Sequence, residues 1–419
     1  MMRATTLGTD INIDNSDSDQ EFRMPHVLIV GGMGPTIRDV SGLGIEISMF
    51  QHAALVRPET PALSSRLYVF DYEQQEESVS LARWLHAQHP IDVAISFTES
   101  GVEVAAAICA RLGIAGNPPE AVRLSRDKHA MRELMRARGM PAVRFRKCMA
   151  AEEARDFCRE LGAPVILKPV SGSGSTGVCL VEAPERVDEA WARIGPDAAL
   201  GVLAEEFFDG PEYSVEALSV DGMHRMIMVT EKLTSDAPYF IESGHQMPAS
   251  LADGDRERIE ATVFALLDAI GHRLGPSHTE LRLTAQGHRI IETHTRPGGD
   301  FLPVLVEGAC GVDLVRETLA SIGGKTPLAP VDLSRAPAAM AIRFFTLSDV
   351  VIVGISGLDD AAAMPGVEHV VCDVGIGDAV GPPTSSDSRQ GFIVARGATL
   401  EEAQQRVTAA MARVSFATG

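Results

Sequence analysis

Basic side chains are scarce in this chain. Lys and Arg number 37 against 57 Asp and Glu, a formal net charge of −20 over 419 residues. A chain this acidic repels phosphate backbones and anionic lipid headgroups, which sets aside nucleic acid and membrane as partners. Long apolar runs are also missing: none approaches the ~20 residues that span a bilayer. The six cysteines (Cys109, Cys148, Cys158, Cys179, Cys310 and Cys372) show no CxxC spacing. Their pattern excludes a zinc ribbon or a disulfide framework and fits a reducing, cytoplasmic setting. The opening stretch MMRATTLGTDINIDNSDSDQEF has no apolar core and is not a secretory signal. Residues 1–24 read as a disordered tail, with Met24 a candidate natural start.

What is there is ordinary for a globular protein: 45% apolar and 22% charged residues. At roughly 100–200 residues per domain, the length points to two to four packed units. From His26 the pattern alternates strand and helix. HVLIV, RLYVF and DVAISF read as strands, and VEVAAAICARL as a helix stopped by Gly113. Such alternation predicts a small parallel sheet with helices on both faces, ending near Pro118-Pro119. SRDKHAMRELMRARG predicts a helix with Ser125 as N-cap and Gly139 as stop. A strand–helix–strand run follows, ending in PVILK. The helix DRERIEATVFALLDAIGHRLG comes after further strands. SHTELRLT and HRIIETHT form a hairpin split at Ala285-Gln286-Gly287. The tail from Ala338 reads as strands and a closing helix.

Several motifs carry chemistry. VGGMGP (Val30 to Pro35) lacks the spacing of a dinucleotide fingerprint and reads as a tight turn. In KPVSGSGSTGV, the small residues after Lys168 let a backbone fold over phosphates and present N–H donors. No GKS or GKT closes it, so it is not a Walker loop. AEEFFDGPEYSVE places Glu205 and Glu206 at a strand end and Glu212 after a Gly-Pro turn. Glu280 and Glu292, on the two strands of the hairpin, would face one way and share divalent cations, which take hard carboxylate oxygens. Arg296 and the Gly298-Gly299 turn, just beyond, suit a carboxylate held by a guanidinium fork.

In chain order, the lysine, the lysine with its Gly-rich loop, the acidic hinge, the two acids and the arginine together resemble the ATP-grasp superfamily, over nearly the whole chain from about His26. EEFFDGPEYSVE is similar to the nucleotide hinge of D-alanine–D-alanine ligases. SRDKHAMRELMRARGMP, KPVSGSGSTGV and HTELRL with ETHTRPGGD resemble bacterial L-amino acid ligases, the dipeptide-forming carboxylate–amine branch.

The resemblance implies an α/β chain with α+β lobes: a parallel pre-ATP-grasp domain (25–120), a small lobe forming the nucleotide lid (121–200), and a large lobe (201–419) whose β-rich cap begins at about 336. It implies ATP and Mg²⁺ as cofactors, two ions with Mn²⁺ as a substitute, and a homodimer. Lys128 and Lys168 would hold the phosphates under the loop Ser171, Gly172, Ser173, Gly174, Ser175, Thr176 and Gly177. Glu205 would accept from the adenine amino group, beside Glu206. The backbone of Phe207 and Phe208 would pair with the ring, and Glu212 would bind the ribose. Glu280 and Glu292 would hold the metal, and Arg296 the substrate and the acyl-phosphate. Lys232, in VTEK, would be a further, weaker candidate for phosphate contact.

One departure stands out. Many relatives carry Asn two positions after the second metal glutamate, where this chain has His294, a titratable and softer ligand. For the substrates, a small-molecule carboxylate and an amine, Glu99 or Glu242 would take an amino group. His278 or His245 would accept a proton, and IESGHQMP would be a flexible loop over the site. The implied activity is an ATP-dependent amide-forming ligase releasing ADP. A bicarbonate-dependent carboxylase or purine-pathway ligase, and a non-catalytic ATP-binding regulator, are the alternatives.

Overall fold

The computed structural model describes residues 23–32, 40–141, 143–172, 174–235, 240–324 and 338–419. Ser173, the Met33–Pro35 part of the first glycine motif and most of the N-terminal tail lie outside the described residues.

The chain begins with β1 (His26–Val30), β2 (Glu46–Gln51), β3 (Arg66–Val69), α1 (Gln75–Gln88), β4 (Val93–Ile95) and α2 (Val102–Leu112). The strands form a parallel sheet in the order β3-β2-β1-β4. Central β1 is buried along its whole length, because covered parallel strands need apolar side chains on both faces. At its end Gly31 has φ +66°, and a Cβ there would lie 2.5 Å from the Tyr72 hydroxyl, so only glycine fits the turn. Gly113 stops α2 in the left-handed conformation, as its sequence position predicts.

Next come α3 (Pro119–Arg126), α4 (Lys128–Ala137), β5 (Phe145–Cys148), α5 (Ala151–Leu161), β6 (Val165–Pro169), β7 (Cys179–Val181), α6 (Val187–Ile194) and β8 (Val202–Glu206). The expected helix from Ser125 is corrected here. Ser125 is buried inside α3, and Asp127 is the N-cap of α4, accepting from the Ala130 N–H at 2.9 Å. The chain breaks between α3 and α4 at Asp127, and this break places Lys128 on the first turn of α4. The strands form an antiparallel sheet, β5-β8-β6-β7, with α5 and α6 packed on it through Phe157, Val187 and Ile194.

The remainder comprises β9 (Glu212–Val220), β10 (Met223–Thr234), β11 (Glu242–Met247), α7 (Asp255–Ile270), β12 (Gly275–Thr284), β13 (Gly287–His294), α8 (Leu302–Cys310), α9 (Leu314–Ile322), β14 (Ala339–Phe344), β15 (Val350–Ser356), α10 (Leu358–Ala362), β16 (Val367–Cys372), β17 (Ala379–Val380), β18 (Gly391–Gly397), α11 (Leu400–Met411) and β19 (Ser415–Thr418). An eight-stranded sheet runs β13-β12-β9-β10-β11-β14-β18-β16. IESGHQMP is therefore not a loop: Glu242–Met247 is β11, paired on both sides by β10 and β14. The tail strands β14, β18 and β16 continue this same sheet, while β17, β15 and β19 form a small one.

α7 and α4 cover one face of the large sheet, with Ile259, Val263, Leu266, Met131 and Met135 against Val215, Ala217 and Leu281. α8 covers part of the other through Leu302, Leu305 and Val306. The rest of that second face is left for the site. α9 joins the large sheet to the N-terminal sheet, Val315 and Leu319 packing with Val27, Ile29 and Ile95. Asn117 locks the same junction, donating to the Leu274 carbonyl at 2.8 Å and accepting from the N–H groups of Arg273 and Leu274.

His272 sits in this junction, 1% exposed, with Nε2 facing the Gly275 carbonyl at 3.2 Å. Burial pushes its pKa down to about 4, against a weaker pull from that carbonyl. The unfolded chain therefore binds a proton that the native state refuses between pH 6.5 and 4. Stability is fully present above that window and falls by about 3 kcal/mol across it. Denaturant unfolding at pH 7 and pH 4 should show a loss about that much smaller in His272→Gln than in the parent. Equal losses would contradict the assignment.

Candidate active site

Side chains alternate across a strand, and in β9 this sends Tyr213, Val215 and Ala217 into the core while Glu212, Ser214 and Glu216 face the other way. β12 follows suit: His278, Glu280 and Arg282 share the polar face. Register then stacks the groups. Glu280 lies opposite Glu292 and Ser214, His278 opposite His294 and Glu216, and Arg282 opposite Glu212. Glu212 is opposite Lys232, and Lys232 opposite His245. A bulge in β13 drops Ile291 out of register, between the pairs Glu280–Glu292 and Leu281–Ile290. It reverses the parity of the strand, so Ile290 enters the core while Glu292, two residues on, faces the site. The Ile291 carbonyl accepts from Arg132 at 2.8 Å.

Between the small sheet and this face lies a cleft. It gathers most of the residues expected to hold nucleotide: Lys128, Lys168, Ser171, Gly172, Ser175, Thr176, Glu205, Glu206, Phe207, Phe208 and Glu212. Its apolar end is walled by Ile166, Val178, Phe207 and Phe240, the two rings stacked with centroids 6.0 Å apart. Arg282 lies 5.7 and 5.0 Å from those rings, donates to the Phe208 carbonyl, and binds Glu212 at 3.0 Å. Gly177 stands outside this wall, packed on Pro169.

The polar end is cationic. Lys128 donates to the Gly172 carbonyl at 2.6 Å and pairs with Glu292 at 2.8 Å. Buried Glu205 is gripped by Arg132 and Lys168, each at 2.5 Å. Burial alone would raise the Glu205 pKa; Arg132 and Lys168 outweigh it and hold the carboxylate ionised. Burial lowers the Lys168 pKa, and its neighbours Arg132 and Lys128 push the same way against Glu205. An arriving phosphate would relieve that strain between cations.

Glu280 and Glu292 sit where the cleft meets a second chamber, and both line both cavities. Glu280 pairs with Lys232 at 2.5 Å and His278 at 3.1 Å, Glu292 with His294 at 3.0 Å. Burial opposes ionisation of each. Lys232 nonetheless holds Glu280 down at about 2, and Lys128 with His294 holds Glu292 well below the usual range. Two ionised carboxylates facing one another fit a hard divalent cation. Among the described residues no cluster of three or more His, Cys, Asp or Glu forms a complete metal cage. Such an ion would therefore share its remaining positions with phosphate oxygens and water, as Mg²⁺ does. His294 lies between Glu292 and Glu99, with Nδ1 3.4 Å from the latter.

The second chamber brings together Gly174, Lys232, Glu242, His245, His278, His294, Arg296 and Gly299. Gly298 lies behind its wall, donating its N–H to Glu216 at 3.3 Å. Several expected roles change. Glu99 is not open to an amino group: Arg126 and Arg296 grip it at 2.5 and 2.7 Å. Burial opposes its ionisation, but His294 and the two arginines depress its pKa. Glu242 is likewise taken, by Lys232 at 3.3 Å, by Ser175 and by Ser386. His278 faces Glu216 at 2.6 Å and Glu280 at 3.1 Å; burial disfavours its charge, but the carboxylates prevail and raise its pKa to about 9. Both of its ring nitrogens are engaged, Nδ1 by Glu216 and Nε2 by Glu280, so neither is free to take a proton from substrate. His245 faces Asp300 at 2.9 Å. Lys232 touches Glu280, Glu212 and Glu242, and these outweigh burial to hold it firmly charged.

Sequence reading missed Arg132, Arg282, Asp300 and Arg389. Two carried a signal. Arg132 follows Lys128 by four residues, one helical turn, and Arg282 follows Glu280 by two, the strand period. Arg389 and Asp300, which pair with each other, lie 89 residues apart, and no local pattern connects them.

Comparison with known proteins fits this geometry. Residues 161–303 match the family model of the ATP-grasp domain, and residues 343–419 that of the L-amino acid ligase C-terminal domain 2. The protein y4rH of Sinorhizobium fredii is 32% identical over 311 residues, covering 72% of this chain and 63% of that protein. Mouse carnosine synthase 1 is 27% identical over 278 residues, 61% of this chain and 34% of that protein. The chain thus spans less than two thirds of the length of either relative. The crystal structure of an L-amino acid ligase from Bacillus licheniformis superposes with a TM-score of 0.80 at 21% identity, covering 95% of this chain and 99% of that one. It shares the fold, a parallel α/β sheet followed by two antiparallel lobes.

Removing one partner of a buried ion pair strands the other charge, at a cost of about 3–5 kcal/mol. Arg132→Met should lose about that much stability in denaturant unfolding and weaken nucleotide binding. Arg136→Met, one turn on and 67% exposed, should change neither; equal effects of the two would contradict the role given to Arg132.

Proposed function

From the membership of this chain in the ATP-grasp superfamily, with an L-amino acid ligase C-terminal domain, we propose that it is an ATP-dependent carboxylate–amine ligase that joins two amino acids or similar small molecules. The observation that carries this reading is the Glu280–Glu292 pair, set on the shared wall of a nucleotide-shaped cleft and a polar chamber.

The adenine fits the apolar end, among Ile166, Val178, Phe207 and Phe240, with the Phe207–Phe208 backbone at its edge and Glu212 at the ribose, while Glu205, held through both oxygens by Arg132 and Lys168, positions the phosphate-binding lysine rather than meeting the adenine amino group. Lys128 and Lys168 take the phosphates beneath the Ser171–Gly177 loop. Divalent cations held by Glu280 and Glu292, with His294 alongside, would offset phosphoryl charge. Arg296 orients the substrate carboxylate in the chamber. A carboxylate oxygen attacks the γ-phosphorus and ADP leaves, giving an acyl-phosphate. The amine nitrogen then attacks the acyl carbon and phosphate departs. Carboxylates already hold both ring nitrogens of His278 and the Lys232 ammonium, and the proton lost by the nitrogen goes to the departing phosphate. The protein's contribution is position and charge compensation rather than covalent chemistry. The loop over the phosphates and the cap segment at Ser386 keep water from the acyl-phosphate.

Incubation of the full chain with ATP, Mg²⁺ and pooled amino acids should release ADP and yield a mass equal to two amino acids minus water. Glu292→Gln should lower ADP release by about 10²-fold or more, and Lys168→Ala should chiefly raise KM for ATP. ADP release that depends on bicarbonate, or full turnover in Glu292→Gln, would overturn the reading.

A further inference from the structure

The reaction chamber does not end at Arg296. Past Asp300, Ser386 and Asp387, which line both spaces, it continues into a side cavity walled by Phe301, Phe344 and Phe392 with Asp373 and Arg389. We propose that this side cavity receives a cationic side chain, so that the amine substrate of the ligase is a basic amino acid; the inference rests on the reading of the site given above.

Three observations support it. Arg389 is the only cation lining the side cavity among the described residues, and it is fully engaged: it holds both oxygens of Asp300, donates to the Ser386 and Glu242 carbonyls, and lies 3.7 Å from the Phe344 ring centroid. Asp300 is thereby neutralised, and Arg389 has no charge left for an incoming carboxylate. Asp373 and Asp387, by contrast, have no ion pair or side-chain hydrogen bond among the described residues, so the rim carries uncompensated negative charge. Between them the rings of Phe301 and Phe392 lie 5.0 Å apart and those of Phe344 and Phe392 6.1 Å apart. Carboxylates and aromatic faces have one preferred guest in common, an ammonium or guanidinium on an apolar stem.

The adjoining chamber wall contains a further polar group without a partner among the described residues. His245, 1% exposed, lines the chamber wall, and its Nδ1 has no hydrogen-bond partner while Nε2 is held by Asp300. The chamber wall also holds Glu280, Glu292 and Arg296, so one small molecule can place its amine at the acyl group and its far end in the side cavity.

The test compares acceptors matched in size and differing in charge: lysine with norleucine, and arginine with citrulline, with ADP release and amide mass read together. In the parent protein kcat/KM should favour each cationic acceptor by about tenfold or more. That ratio should collapse towards one in the Asp373→Asn, Asp387→Asn double variant, through KM rather than kcat. A parent protein that uses norleucine as well as lysine, or a double variant that loses both acceptors in equal proportion, would overturn the proposal. Failure of the ligase reading itself looks different: no amine, charged or neutral, would raise ADP release. Calorimetric binding of lysine against norleucine, with a non-hydrolysable ATP analogue and Mg²⁺ present, then still decides the point. Tighter lysine binding that is lost in the double variant supports the cavity's role, and equal binding refutes it.

Discussion

A single buried ammonium organises the site. Lys232 stands on the middle of the large sheet with Glu212, Glu242 and Glu280 all within 3.3 Å. Three carboxylates cannot stay ionised out of water without such a partner. Each of the three leads to a different part of the chemistry. Glu212 reaches Arg282 and the proposed ribose end of the cleft, Glu280 the proposed metal position, and Glu242 the loop residue Ser175 and the C-terminal Ser386. The cleft, the shared wall and the chamber are tied together through one side chain, itself fixed by β-sheet register.

That register also explains how distant stretches of sequence come to act together. The Ser386 N–H donates to the Gly174 carbonyl at 3.0 Å, and Arg193 of the small lobe reaches the Thr384 carbonyl at 3.4 Å. The C-terminal segment thus touches the glycine-rich loop, the small antiparallel lobe and, through Arg389 and Asp300, the floor of the chamber.

Much of this was legible in the chain. Alternation of strands and helices gave the parallel N-terminal sheet, and the Ala285-Gln286-Gly287 break gave the hairpin that pairs Glu280 with Glu292. Local patterns see such features because the interactions that fix them are local. They misplace Ser125, where Asp127 two residues on makes the cap. They also misread ESGHQM, too polar for an ordinary central strand, because its Glu242 and His245 are paired with Lys232, Ser386 and Asp300 from other elements. The same blindness made Glu99, Glu242 and His278 look available. Their partners, Arg296, Ser386 and Glu216, stand 197, 144 and 62 residues away. Charge on a residue is visible in a sequence; whether that charge is already spent is a property of the fold.

The proposed chemistry requires a carboxylate oxygen to pass to phosphorus. With the acid substrate labelled by oxygen-18 in both carboxylate positions, turnover in unlabelled water should release phosphate carrying a single labelled oxygen, leaving the other in the amide, with ADP as the nucleotide product. Unlabelled phosphate, or label appearing in AMP, would mean that no acyl-phosphate forms between the cleft and the chamber.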